Sequence, residues 1–467
     1  MPGRPLPERA GARDRARLTT LALLTTVTAV VSSLGAPLVP SIAEQYDVSV
    51  TSAQWALTAT LLAGAVATPV LGRLGSGRRR RPTVLVTIVV VLLGSILAAL
   101  PLGYGPLVAG RALQGLALAL VPLALAIARD AYSGAQQVAA LGLLSVTTVA
   151  GAGLGYPITS LVAAYTGLHG AYVFGAVLVA LTLLRALRHV PADLDVAAQP
   201  VDLVGAATLT TGTLSLLLAV SQGGVWGWTS PGTLLLAALG VLAMAVWARW
   251  SLRAAHPLVD LRLAARPGVV GPHLVALVLG IGMYGLLSLA VVIVRAEGPD
   301  SATGFGLDLG VGVAGLVLVP YSAASVAGAQ VARWVDRRWG DRLLLPLGCS
   351  SFAVSLALLA WHHDHLWQLL LAMAVGGLGS GFSFSSLAGL IVPHVPPSET
   401  GSAMAFNQLL RYLGFATGSA VSVVLVDVYG GGASGLLRAL LTLAGLCLAA
   451  SVLSALRAPR AATSPAG

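Results

Sequence analysis

The chain has no lysine, two cysteines, 6% aromatic residues and 9% charged residues among its 467 positions. Soluble proteins carry about 25% charged residues, so there is too little charge to cover a water-facing surface in the usual way, and a solvated globular enzyme is not expected. The lack of lysine removes the G-x-x-x-x-G-K-[ST] loop, whose Lys contacts bound phosphates, and with it ATP-driven chemistry inside this polypeptide. Cys349 and Cys447 stand far apart in separate apolar runs. Disulfide frameworks and metal knuckles need clustered cysteines, so these two read as small buried hydrophobes, with neither metal nor cofactor implied.

Apolar residues are plentiful, at 57% of the chain. Runs long enough to cross a bilayer, about 20 residues each, fall at 18–40, 53–72, 82–103, 106–128, 137–164 and 168–187. Two more follow at 202–221 and 231–250, and six at 268–294, 307–331, 342–361, 366–393, 402–427 and 434–456. Inside hydrocarbon a backbone must satisfy its own hydrogen bonds, which runs of this kind do as helices. Strand-length alternation for a barrel is absent. The expectation is an all-α integral membrane protein with fourteen transmembrane helices.

Arginine sets the orientation, because cytoplasmic loops retain positive charge. With the N-terminus inside, 23 of the 27 arginines fall in cytoplasmic segments, among them the cluster from Arg73 to Arg81. Arg295 and Arg438 fall outside, while Arg111 and Arg411 lie within runs. The net charge of +10 thus serves topology and implies no nucleic-acid partner. Both termini are expected in the cytoplasm, in a multi-pass protein of the cell membrane. The first run is too long for a signal-peptide core and lacks a small-residue cleavage site, so it reads as a retained helix. The Pro-, Gly- and Arg-containing stretch before it is expected to be a disordered tail.

An internal repeat is visible. Gly72-Arg73-Leu74-Gly75-Ser76-Gly77-Arg78-Arg79-Arg80-Arg81 follows the second run, and a similar basic hairpin from Ala332 to Arg342 follows the tenth. Ser76 and Asp336 are 260 residues apart, one six-helix half plus an inserted helix pair. Parallel-repeat transporters are built this way, with the site between two bundles at midplane. The expected organisation is a tail at 1–17, an N-terminal six-helix bundle at 18–188, the inserted pair and connectors at 189–267, a C-terminal six-helix bundle at 268–456 and a tail at 457–467.

These residues resemble the major facilitator superfamily, and within it the fourteen-span drug:proton antiporter branch. The first hairpin is similar to the family's motif G-x-L-a-D-R-x-G-R-R, with Gly72, Gly75 and Arg79 among the residues carried over. Arg111-Ala112-Leu113-Gln114-Gly115 matches R-x-x-Q-G, and Gly151 through Gly155-Tyr156-Pro157 is close to the antiporter motif G-x-x-x-G-P with Tyr156 interposed. Leu38-Val39-Pro40-Ser41-Ile42, Gln54-Trp55, Val201-Asp202-Leu203-Val204-Gly205, Trp226-Gly227-Trp228 and Pro257-Leu258-Val259-Asp260 resemble the branch's first loop and the borders of its inserted pair. The resemblance implies a proton-coupled efflux carrier for drugs or natural products. The chain departs from it where Ser76 and Gly77 replace the hairpin's Asp and Arg. Because the second hairpin keeps Asp336-Arg337, the conformational latch is expected there; a plain solvated basic loop is the competing reading.

Arg111 is the most informative side chain, since an Arg at the centre of a spanning helix costs about 2.5–3.5 kcal/mol on insertion scales and usually faces a cavity or a partner. Gln114 follows one turn on. Asn407 and Arg411 are four apart on a helix and share a face, expected to line a polar path. Gln54, Trp55 and Thr147 are candidate cavity residues. No Asp or Glu falls near the middle of any run, leaving Asp308 and Asp427 as candidates at the outer mouth and His273 near an inner end. Proton coupling is therefore implied by the resemblance alone. His362-His363-Asp364-His365 reads as a solvated cap beside Trp361 and Trp367 of the interfacial belt. Expected partners are a small-molecule substrate, protons and lipid, with the protein a monomer. An uptake carrier and a non-transporting scaffold or sensor remain as alternatives.

Overall fold

The computed structural model describes residues 8–34, 38–48, 50–53, 55–191, 200–296, 298, 304–309 and 316–457, and every regular element among them is helical. The long helices are α1 (Glu8–Ser33), α2 (Trp55–Leu74), α3 (Arg80–Ala99), α4 (Tyr104–Gly115), α5 (Leu120–Ala131) and α6 (Gly134–His189). They continue as α7 (Leu203–Trp226), α8 (Pro231–Ser251), α9 (Val270–Arg295), α10 (Leu318–Trp339), α11 (Leu344–Trp361), α12 (Leu366–Ile391), α13 (Thr400–Val428) and α14 (Gly432–Arg457). Among the described residues eleven helical stretches are long and apolar enough to cross a membrane. The expected runs at 18–40, 137–164 and 307–331 are outside that set, and fall in part on α1, the first segment of α6 and α10.

Local chemistry places the breaks. Between α4 and α5 the helix tightens to a 3-10 turn at Leu116–Ala119. The donor for the Leu118 carbonyl in a regular helix would be the nitrogen of residue 122, and Pro122 has no N–H to give. Pro157 removes a backbone donor and can kink a helix, but α6 stays helical through it; its non-helical residue is Gly167, at φ 73° and ψ −176°. That backbone is open to glycine and strained for other residues. At the other end of the bundle α1 starts at Glu8, inside the stretch expected to be a disordered tail. Its Ala, Glu and Arg residues favour helix, and Asp14 and Arg17 sit 3.8 Å apart one turn on.

Helix pairing repeats along the chain. In the first half α1 packs on α6, α2 on α4 and α3 on α6; in the second, α9 packs on α13, α10 on α12 and α11 on α14. Several of these pairings are close approaches made through glycine. A Cβ on Gly151 of α6 would meet Ala29 of α1 at 2.8 Å, one on Gly377 of α12 would meet the Tyr321 carbonyl of α10 at 2.1 Å, and one on Gly414 of α13 would meet the Leu277 carbonyl of α9 at 2.3 Å. Small residues permit such backbone approach, and in lipid van der Waals packing supplies much of the association energy. The halves meet where α2 runs along α13 and α6 along α10, and α7 packs against both α2 and α13. A shared apolar cluster seals that corner, with Leu62 and Leu118 from the first half, Leu209 and Trp247 from α7 and α8, and Phe406, Leu409 and Tyr412 from α13.

Candidate functional site

Two arginines lie deep among the helices, and their surroundings differ. Arg111 on α4 is fully buried. Its Nη1 donates to the Val31 carbonyl at 3.0 Å and to Gln114 Oε1 at 2.6 Å, and its Nε donates to the Ala56 carbonyl at 3.1 Å. Val31 lies in the last turn of α1, where helix carbonyls lack intrahelical donors and carry the negative end of the dipole. Gln114 passes the chain of bonds on, its Nε2 donating to Ser95 Oγ of α3 at 3.0 Å. Cζ of Arg111 stands 5.9 Å from the ring centre of Tyr172. This side chain ties α1, α2, α3 and α4 together, so the cavity-facing role expected for it is not its geometry.

Arg411 on α13 is only half-buried. Its Nη2 donates to Gln408 Oε1 at 2.7 Å, and its Cζ lies 4.9 Å from the centre of the Phe384 ring. Gln408, one turn away, reaches across the molecule. Its Nε2 donates to the Tyr412 hydroxyl at 2.6 Å and, at 3.2 Å, to the Leu118 carbonyl of the other half. That is the acceptor which Pro122 leaves without a helical donor. Asn407 points elsewhere than expected. It is buried, with Nδ2 donating to the Pro272 carbonyl at 3.3 Å and lying 3.2 Å from His273 Nδ1, so it binds α13 to α9 and lines no shared face with Arg411.

Polar contacts between the halves gather at the Arg-rich face. Arg73, 2% exposed, holds both carboxylate oxygens of Glu399 with Nη1, at 2.8 and 2.9 Å. Arg129, at the end of α5, donates to Thr400 Oγ1 at 2.5 Å. Glu399 precedes α13, where a carboxylate is favoured by the helix dipole. Gly72 makes the approach possible, since a Cβ there would lie 2.8 Å from Ala405 and 3.1 Å from the Gly401 carbonyl. Gly75 is tight against Leu123 for the same reason. Within the first half Arg80 pairs with Asp130 and donates to the Gly75 carbonyl at 3.0 Å. Arg79, the residue singled out from the motif, is exposed; Arg80 is the buried member of the run.

The latch expected at the second hairpin has no ion pair among the described residues. Asp336 is exposed and makes no salt bridge with Arg333 or Arg337, whose Nε donates to the Arg333 carbonyl at 3.2 Å. Partial burial, with Asp341 nearby, raises the Asp336 carboxyl above its ordinary range, while Arg337 opposes the shift. Asp336 and Arg337 are consecutive on α10 and diverge by about 100° around its axis, and the Arg333 guanidinium donates instead to Gln330 Oε1. Asp308 and Asp427 are both exposed, outside any ion pair among the described residues. Thr147 joins α6 to α1 through Thr25, with the hydroxyls 2.7 Å apart. Trp55 is half-buried against the cluster shared by the halves. Gln54 lies outside the described residues, and Gly155 is buried within α6. In the histidine loop, His363 Nδ1 sits 2.9 Å from the Leu359 carbonyl, and His365 N–H donates to Gln368 Oε1 at 3.0 Å, closing the start of α12.

Repeated helix pairs with the character of membrane spans, joined by a sparse polar seam, are the architecture of a multi-pass transporter. The chain belongs to the Major Facilitator Superfamily, whose model matches residues 21–298 and 273–467. It is 24% identical to Multidrug resistance protein 3 of Bacillus subtilis (strain 168), across 78% of this chain and 70% of that one. It is 28% identical to a probable actinorhodin transporter of Streptomyces coelicolor, across 82% and 67%. The crystal structure of the human organic anion transporter MFSD10 superposes with a TM-score of 0.66 at 16% identity, covering 94% of this chain and 99% of that one, a likeness of fold.

Proposed function

We propose that this transporter exports amphipathic or hydrophobic small molecules by alternating access, exchanging them for protons. In this reading it spans the cell membrane fourteen times as a monomer, with six helices in each half, α7 and α8 as the inserted pair, and the Arg-rich face and both termini in the cytoplasm. The relatives named for multidrug resistance and actinorhodin transport support export as the direction. The observation that carries the reading is the Arg73–Glu399 pair. A contact between halves confined to one face must break for that face to open, as a rocking mechanism requires.

The test is a panel of neutral, anionic and cationic amphipaths loaded into cells that lack their own multidrug pumps. Expression of this chain is expected to lower steady-state accumulation of some of them, and a protonophore to abolish the effect. Accumulation in place of extrusion would instead establish the uptake carrier, and no flux of any compound the scaffold.

A further inference from the structure

We propose that the seam beside α13 is a binding site for aromatic anions, molecules bearing a carboxylate, sulfonate or phenolate on a flat apolar body. The proposal rests on the export reading only for the direction of flux. Arg411 supplies the charge. Its Nη2 is engaged by the neutral Gln408, and among the described residues its Nε has no hydrogen-bond partner and no carboxylate pairs with it. Around it stands an aromatic wall. Phe384 lies under the guanidinium, Phe415 meets Phe384 edge-on at 6.4 Å and Tyr412 at 5.9 Å, and Tyr284 stacks on Phe415 at 4.4 Å. Arg411, Phe384, Phe415 and Tyr284 are all only half-buried, so the cluster retains open surface. It sits where the halves meet, because Gln408, the Arg411 partner, also holds the Leu118 carbonyl.

A cation in a low-dielectric seam without a counter-charge is costly, and the arrival of an anion relieves that cost. Guanidinium planes suit carboxylates and sulfonates in particular, through parallel N–H donors. Arg111 shows the contrast: its bonds to two helix carbonyls and to Gln114, with full burial, leave it committed to structure. With two arginines deep in the helices, and Asp130, Asp336 and Asp427 confined to helix ends, the local field repels lipophilic cations. Export of an anion is also favoured electrically by an inside-negative membrane potential, so the cargo itself can contribute driving force.

Purified full-length protein is titrated with 2-naphthoate, its neutral isostere 2-naphthamide and the lipophilic cation tetraphenylphosphonium, with binding read by equilibrium dialysis. The expected result is 2-naphthoate bound about tenfold or more tightly than either competitor, as for a desolvated charge pair. Arg411→Gln is expected to erase that preference, and Arg411→Lys, which keeps the charge, to preserve it. Equal binding of the amide or the cation, no binding of any probe, or loss of the preference in Arg411→Lys as in Arg411→Gln would overturn the proposal. Selective naphthoate binding combined with inward flux would instead overturn the export reading and leave this site standing.

Discussion

Arg73 on α2 and Glu399 ahead of α13 are 326 residues apart in sequence, yet one guanidinium nitrogen holds both carboxylate oxygens. They are the ion pair that joins the two halves among the described residues. Both groups are largely withdrawn from water, so removing one partner strands the other, at a cost of about 3 kcal/mol. Glu399→Gln is expected to destabilise closure of the Arg-rich face and to raise the labelling of nearby engineered thiols from that side. The reversed pair, R73E with E399R, is expected to recover part of the loss; failure of that recovery while each single variant still inserts would deny the pair its role.

Arg111 makes a different prediction from Arg411. Its bonds to two helix carbonyls and to Gln114 are charge-assisted, each worth roughly 1.5 kcal/mol or more. Arg111→Ala is expected to lower the stability of detergent-solubilised protein by about 4 kcal/mol or more, read as a fall in Tm. Arg411→Ala, with one such bond to lose, is expected to lower it much less. Equal falls would mean that Arg411 too is a structural brace.

At Gly377 the test is steric. A Cβ there meets backbone, the Tyr321 carbonyl at 2.1 Å, so neither helix can yield by rotating a side chain. Gly377→Ala is expected to cost about 3 kcal/mol through separation of α10 from α12. Gly389, with open space around it, is the control and is expected to accept Ala without loss.

The Asp336 carboxyl is raised by burial and by Asp341. A folded value above the unfolded one means the folded state binds the proton more tightly, so this group favours folding at low pH, and that benefit fades as pH rises through the folded value. Asp336→Asn is therefore expected to raise Tm slightly at neutral pH, to lose that advantage below the carboxylate range, and to leave transport intact. A transport-dead, correctly inserted Asp336→Asn would return the latch to the second hairpin.

Much of this was legible from residues alone, and where it was not, the reasons are physical. Apolar runs and the placement of arginine are local signals, so the helices and the Arg-rich face could be read directly. Arg111 and Gln114 stood out because a charge in an apolar run must be compensated, but the compensation came from backbone carbonyls, which no residue pattern encodes. Glu399 was missed because its partner is remote in sequence. The choice between Arg79 and Arg80 turns on the single residue at which the 3-10 turn Gly77–Arg79 gives way to α3, finer than periodicity resolves. Pro122 was the readable clue to the Leu118 carbonyl, and hence to Gln408.

The decisive measurement is flux through a reducible cross-link. In a background where the buried Cys349 and Cys447 are replaced by Ser, R73C and E399C are combined, reconstituted in liposomes and joined through a bis-methanethiosulfonate linker that spans the gap left by the Arg and Glu side chains. If the halves must part at this face in every cycle, transport stops when the bridge forms and returns when it is reduced. Undiminished transport by fully cross-linked protein would contradict the account.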